Sequence, residues 1–190
     1  MTMMTPPPIW RGDDRRLADL RISVLDNDFP IGSILRETLL TWRISGMTAC
    51  DDVSSALAGV RAAPPDILFI NGNGPRHNAA ALTRTIRDPR RFPQPFLPIV
   101  VVLSDVTRSK VAEARDAGAD EFLAYPFSHK SLYERIRSIV FDRRGFVSTG
   151  GFFGPDRRRG AMARFLGSDR RGSVSMLIDP NTGEIYRDVG

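Results

Sequence analysis

Two stretches of this chain, DILFIN at residues 66–71 and IVVVLSD at 99–105, are apolar runs with no polar alternation. A strand with one face in water alternates, so a short unbroken run reads as a strand covered on both faces. Coverage on both faces is the habit of parallel sheets, whose crossover connections lay helices above and below. The segments around these runs have the matching character. ADLRISVLD is a further strand, and FPIGSILRETLLTWRISG sets Ile31, Ile34, Leu35, Thr38, Leu39 and Trp42 at helical spacing with Gly46 as its stop. DDVSSALAGVRAA opens on Asp51 and Asp52 as candidate N-caps and ends at Pro64-Pro65. NAAALTRTIRD and TRSKVAEARDAGAD read as helices, the second stopped by Gly118. EFLAY is a strand, and SHKSLYERIRSIVFD is a helix capped by Ser128.

These four strands and five helices, with a further strand between the first two helices, predict a doubly wound α/β fold on a five-stranded parallel sheet. Ligands of such sheets bind beyond the carboxyl ends of the strands. The residues to inspect are therefore Asp26, Asn27 and Asp28, then Asn71, then Ser104 and Asp105, then Tyr125 and Pro126.

With 190 residues and 42% apolar composition, the chain has material for one ordinary domain plus flanking segments. The single cysteine, Cys50, cannot form an internal disulfide, and no apolar run approaches the roughly 20 residues that span a bilayer. MTMMTPPPIW lacks the features of a signal peptide, so a cytoplasmic protein without membrane insertion is expected. The net charge of +5 is concentrated: residues 143–172 hold eight arginines against Asp156 and Asp169. Lys110 and Lys130 are the only lysines. The expected organisation is a flexible N-terminal arm over 1–19, a folded domain over 20–142, and an Arg/Gly-rich basic tail over 143–190.

Over 20–142 the chain resembles the CheY-like receiver domain of two-component response regulators. LDND stands where that family has its acidic pair, DILFINGNGP where a strand ends in the phospho-accepting Asp with Pro four residues later, VLSD where it has Ser or Thr, and AGADEFLAYPF where it has Lys-Pro-Phe. The loop before the fourth strand and GPDRRR downstream are similar to alphaproteobacterial single-domain response regulators. The resemblance implies a strand order of 2-1-3-4-5. It also implies a pocket with Mg²⁺ held by acids, a phosphorylated Asp, a hydroxyl and a Lys. Asp26 and Ser104 match. Asn27 replaces the second acid, Asn71 the phospho-acceptor and Tyr125 the lysine.

An amide oxygen is a poor nucleophile, so Asn71 removes the acyl-phosphate step. With two carboxylates gone, Mg²⁺ binding is expected to be weak or absent and no cofactor is implied. A phenol carries no charge at neutral pH, so a tyrosine at 125 supplies no cation. Asn71 and Asn27 can instead hydrogen-bond each other, Asp26 or Ser104. Asp28 would replace the missing acid only by a one-residue shift that turns its side chain to the other face. Asn71-Gly72 is also a deamidation sequence; the alternative is that Gly72 and Gly74 serve the tight loop. His77 and His129 are far apart without Cys partners and read as solvated, so no metal site is expected. Phe122 occupies the family's aromatic switch position, where simple packing explains it equally well, and Pro126 matches a family cis-proline.

Outside this body, GxDRR occurs at 12–16, 154–158 and 167–171. The paired arginines Arg15 and Arg16, Arg157 and Arg158, Arg170 and Arg171 could grip carboxylates or phosphates of an acidic protein, RNA or a cyclic dinucleotide. Arg-rich low complexity is the plainer explanation. SVSMLIDPNTGEIYRDVG reads as a β-hairpin over 174–189, marginal alone and expected to dock on the body or on another chain. The 48 residues after Asp142 show no helix-turn-helix pattern. Two functions follow. One is a non-enzymatic, phosphorylation-independent pseudo-receiver that binds a histidine kinase, another regulator or a second copy through its fourth helix, fifth strand and fifth helix. The other is an anionic-ligand binder that works through the GxDRR tail.

Overall fold

The computed structural model describes residues 15–27, 30–73, 78–156 and 176–188. In chain order the body comprises α1 (Arg15–Ala18), β1 (Arg21–Leu25), α2 (Pro30–Thr41), β2 (Gly46–Cys50), α3 (Val53–Ala62), β3 (Ile67–Asn71), α4 (Ala79–Arg87), β4 (Ile99–Leu103), α5 (Arg108–Asp116), β5 (Glu121–Ala124) and α6 (His129–Phe141). Its sheet is parallel with order β2-β1-β3-β4-β5.

Strand parity explains the unbroken apolar runs. Ile67 and Phe69, with Val100 and Val102 beside them, enter one core with Leu35 and Leu39 of α2 and Leu132 and Ile136 of α6. Leu68 and Ile70, with Ile99, Val101 and Leu103, enter a second core with Val60 of α3, Leu82 and Ile86 of α4 and Ala114 of α5. Each face needs apolar residues, so neither parity is free to be polar.

Helix ends follow local chemistry. Asp52, Asn78, Thr107 and Ser128 each accept a hydrogen bond from a backbone N–H of the first turn, and Ser128 with Ser131 forms a capping box. Gly118 ends α5 at φ +97° as expected. Gly46 does not end α2. Arg43 takes the left-handed conformation at φ 61°, and Gly46 opens β2, where a Cβ would lie 2.8 Å from the Leu20 carbonyl. Ile34, expected on the buried face of α2, is partly exposed, while Trp42 is buried against Tyr133.

Two segments depart from the expected organisation. The arm assigned to residues 1–19 holds α1 at its end, and Leu17 is fully buried in the α2/α6 core. The segment after Asp142 carries an antiparallel sheet of order β7-β6-β8-β9. Its strands are β6 (Phe146–Thr149), β7 (Phe152–Pro155), β8 (Met176–Ile178) and β9 (Ile185–Asp188). The pair β8–β9 falls where the sequence predicts a hairpin, and β6–β7 is an addition to that reading.

The second sheet docks at the amino end of the parallel one. Phe96 packs against Phe146 and Phe153 at centroid distances of 5.1 and 5.3 Å. Arg87 and Arg143 lie over the Phe146 ring at 5.1 and 5.6 Å. Arg87 donates to the carbonyls of Gly118 (2.8 Å), Pro95 (2.7 Å) and Leu97 (2.7 Å) and to Asp120 Oδ2 (2.6 Å). The same carboxylate oxygen accepts from Ile99 N at 2.8 Å. Burial pushes the Arg87 guanidinium down to about 10, with Asp120 opposing the shift and Arg143 adding to it, so it stays charged at neutral pH. Arg143 donates to the carbonyls of Phe96 and Pro180, and Arg144 to those of Asp120 and Asp156. A Cβ on Gly154 would meet Gly118 Cα at 3.0 Å, so the two backbones touch where β7 crosses the α5–β5 turn.

Candidate functional site

Parity that builds the core also builds the pocket. Val24, Phe69, Val102 and Leu123 point to the α2/α6 face, and two residues further along the same strands stand Asp26, Asn71, Ser104 and Tyr125. A strand's side chains repeat every two residues, so these four positions gather beyond the carboxyl ends of β1, β3, β4 and β5.

Asn71 is 2% exposed, and its amide is bonded at both ends. Nδ2 donates to Asp26 Oδ1 at 2.8 Å, and Oδ1 accepts from Asn73 N at 2.9 Å in an Asx turn. The carboxylate fixes the amide orientation, because only the nitrogen end can donate to it. Asp26 Oδ2 accepts from Gly32 N at 2.7 Å, which satisfies a free donor in the first turn of α2. Asp26 is thus both a pocket residue and a cap for α2.

Asn27 stands apart from this pair. Its Oδ1 and Nδ2 are buried and have no hydrogen-bond partner among the described residues, contrary to the expectation that it bonds Asn71, Asp26 or Ser104. Ser104 is exposed. Tyr125 packs its ring against the α2/α6 core and edge-on to Phe127 at 6.1 Å, and the Tyr125–Pro126 peptide bond is cis. Phe122 is half-buried on β5 with the Arg135 guanidinium 5.7 Å from its ring centroid, and Arg135 pairs with Glu121 at 3.3 Å.

A residue missed by the sequence reading is Lys110, on the first turn of α5. Its Nζ lies 3.3 Å from Asp105 Oδ2 and 3.4 Å from Asn73 Oδ1. It closes one side of an open cleft of about 170 Å³ whose other walls include Gly72, Asn78, Leu103 and Glu113. The signal is in the sequence: a helix that follows a strand in a parallel sheet begins at the strand's carboxyl end, so its first turn lies near the strand ends. The TRSK segment puts one of the chain's two lysines there.

A magnesium ion in this pocket would need several hard oxygens, preferably anionic. Among the described residues it meets one carboxylate at the strand ends, both of whose oxygens already accept N–H groups, and an amide that turns its nitrogen toward that carboxylate. Among the described residues, no three His, Cys, Asp or Glu side chains are grouped so as to hold a metal. The residues do not fit the ion. Deamidation at Asn71 is also obstructed, because the Gly72 N–H that would attack is donated to Val102 O at 2.7 Å.

Other candidates lie elsewhere. Arg15 and Arg16 belong to α1. Arg157, Arg158, Arg170 and Arg171, with Asp28, Gly74 and His77, lie outside the described residues. His129 opens α6, exposed, with its ring edge-on to Trp42 at 6.2 Å. In the middle GxDRR copy, Gly154 and Pro155 are strand residues of β7 buried in the inter-sheet contact.

No family model matches the chain. It is 26% identical to the chemotaxis protein CheY of Pseudomonas aeruginosa over 124 residues, which cover 65% of this chain and 98% of that protein. It is 31% identical over 121 residues to the transcriptional regulatory protein CseB of Streptomyces coelicolor, covering 64% of this chain but 47% of that one. The structure of the chemotaxis protein CheY4 of Vibrio cholerae superimposes with a TM-score of 0.57 over 64% of this chain and 98% of that chain, at 20% identity. The sheet order, the pocket at the strand ends and these likenesses agree: the five-stranded α/β body of this chain has the CheY-like receiver fold and is similar in sequence to response regulators.

Proposed function

We propose that this protein is a phosphorylation-independent pseudo-receiver, a regulatory module of two-component signalling in the cytoplasm that acts by binding other proteins and not by catalysis. The carrying observation is the 2.8 Å bond from Asn71 Nδ2 to Asp26 Oδ1. An active receiver needs two or more carboxylates here, which repel until a metal joins them. In this chain an amide donor meets the Asp26 carboxylate, so this pair is satisfied with neither metal nor phosphoryl group. Its partner is a histidine kinase, another regulator or a second copy, engaged through the face of α5, β5 and α6, which are the fourth helix, fifth strand and fifth helix of the repeating pattern. No helix among the described residues is long and apolar enough to cross a membrane.

Incubation with acetyl phosphate and Mg²⁺ followed by intact-mass measurement tests the chemical half: no phosphoryl adduct is expected, and an adduct on a residue of this pocket overturns the reading. Titration against purified histidine kinases and a measurement of self-association test the binding half. One of them, or self-association, is expected to show saturable binding unaltered by the phosphodonor. A partner bound only after phosphodonor treatment contradicts it.

A further inference from the structure

The pocket's polar contacts do not stop at Asn71. They run from Gly32 N to Asp26, from Asp26 to Asn71, and from Asn71 Oδ1 to Asn73 N. Asn73 Oδ1 then accepts from Lys110 Nζ, and Lys110 pairs with Asp105. Asn73 Nδ2 also reaches the Val102 carbonyl at 3.4 Å. The series begins at α2, crosses β1 and β3, and ends on α5 and the loop between β4 and α5. That loop, residues 104–107, is exposed throughout and presents Val106 with 47% of its surface in solvent.

We propose that Lys110 acts as a latch that ties the 104–107 loop to the β3 end through Asn73, in place of a phosphoryl group. The inference rests on the reading of the pocket as independent of phosphorylation. In a receiver with a lysine at the end of β5, the cation enters from the α6 side. Here Tyr125 is half-buried against the α2/α6 core, and the cation near the strand ends comes from α5, on the opposite face of the sheet. Its contacts are of 3.3 and 3.4 Å, with Lys110 and Asp105 side chains 40% and 65% exposed, so each is individually weak. Weak contacts suit a latch: they bias a solvent-exposed loop without contributing much to global stability, and a partner that contacts Asp105 or Lys110 can open it.

Hydrogen exchange of the full chain, read by NMR or mass spectrometry, tests this. In Lys110→Gln the amides of 104–107 and of Asn73 are expected to exchange about two- to fivefold faster than in the wild type, with the melting temperature unchanged. Lys110→Arg, which keeps a cation for Asp105, is expected to restore slow exchange in the loop. Glu113→Gln, one turn further along α5 in the same cleft, serves as the control and is expected to leave the loop unchanged. Unaltered exchange at 104–107 in Lys110→Gln overturns the latch. So does acceleration spread along all of α5, or acceleration equally present in Glu113→Gln. The same samples with Mg²⁺ and beryllofluoride separate the two readings. A wild type that responds to the phosphoryl mimic defeats phosphorylation independence, whereas a silent wild type with a Lys110→Gln variant that exchanges like it defeats the latch alone.

Discussion

The two ends of the parallel sheet both hold charged groups against fixed oxygens, but they do so to different effect. At the amino end Arg87 is fully buried, and its four hydrogen bonds reach three carbonyls and Asp120, with an aromatic ring against its face. At the carboxyl end Asp26 and Lys110 are each partly exposed, the Asn71 amide is neutral, and the buried amide of Asn27 has no partner among the described residues. A buried charge costs several kcal/mol unless it is paired and hydrogen-bonded, and Arg87 reaches four oxygens, so folding depends on this network even though Arg143 Nε beside it has no partner among the described residues. The carboxyl end tolerates change because water and small shifts can compensate there. Receivers place their chemistry at that end, and on the reading proposed above this chain keeps the fold without that chemistry.

If this contrast is right, the largest effect belongs to the amino end. Arg87→Met should lower stability by about 3–5 kcal/mol by leaving Asp120 buried without its cation. Removing both charges in Arg87→Met with Asp120→Asn should cost less than the sum of the two single changes, as chemical denaturation would show. Equal additivity would break the network description.

A change at the carboxyl end should be smaller and conditional. Asn71→Asp puts two carboxylates where one N–H···O bond now stands, for a loss of about 1–3 kcal/mol near neutral pH without metal. Repulsion raises the carboxyl pKa of the pair in the folded state above its unfolded value. The folded state then binds more protons, so stability falls as pH rises through that window and is recovered on acidification. Thermal melts from pH 4 to 8 with and without Mg²⁺ should show this slope in the variant and its relief by metal. A flat profile would mean that the Asn71–Asp26 contact is not what holds the pocket.

The smallest of the three is a packing test of the inter-sheet contact. Gly154→Ala sets a methyl 2.8 Å from the Phe152 ring and 3.0 Å from Gly118 Cα, which should cost about 1–2 kcal/mol as the ring gives way. An unchanged melting temperature would show that the second sheet is not pressed against the first.

The same contrast explains what the sequence disclosed. The parallel sheet was legible because DILFIN and IVVVLSD must satisfy cores on two faces, and parity then carried Asp26, Asn71, Ser104 and Tyr125 to one place. Capping residues such as Ser128 and Asp52 could be read from local chemistry. Lys110 is not legible from the strand ends, because the lysine comes from a helix. Arg87 and Asp120, 33 residues apart, looked like ordinary residues flanking helices, since nothing local distinguishes an arginine that will be buried. The β6–β7 pair passed as basic tail because its strands are four residues each, although Gly150-Gly151 between FVST and FFGP is a hairpin signal.

Phosphorylation independence is tested most directly by titrating the purified protein with Mg²⁺ and beryllofluoride while following NMR shifts at Asp26, Asn71, Ser104 and Tyr125, beside an Asn27→Asp, Asn71→Asp, Tyr125→Lys variant. A silent wild type and a responsive variant are the predicted result, showing a receiver whose switch has been replaced by fixed hydrogen bonds. Saturable shifts at those residues in the wild type would contradict it, since the pocket would then take a metal and a phosphoryl group despite the Asn71–Asp26 bond.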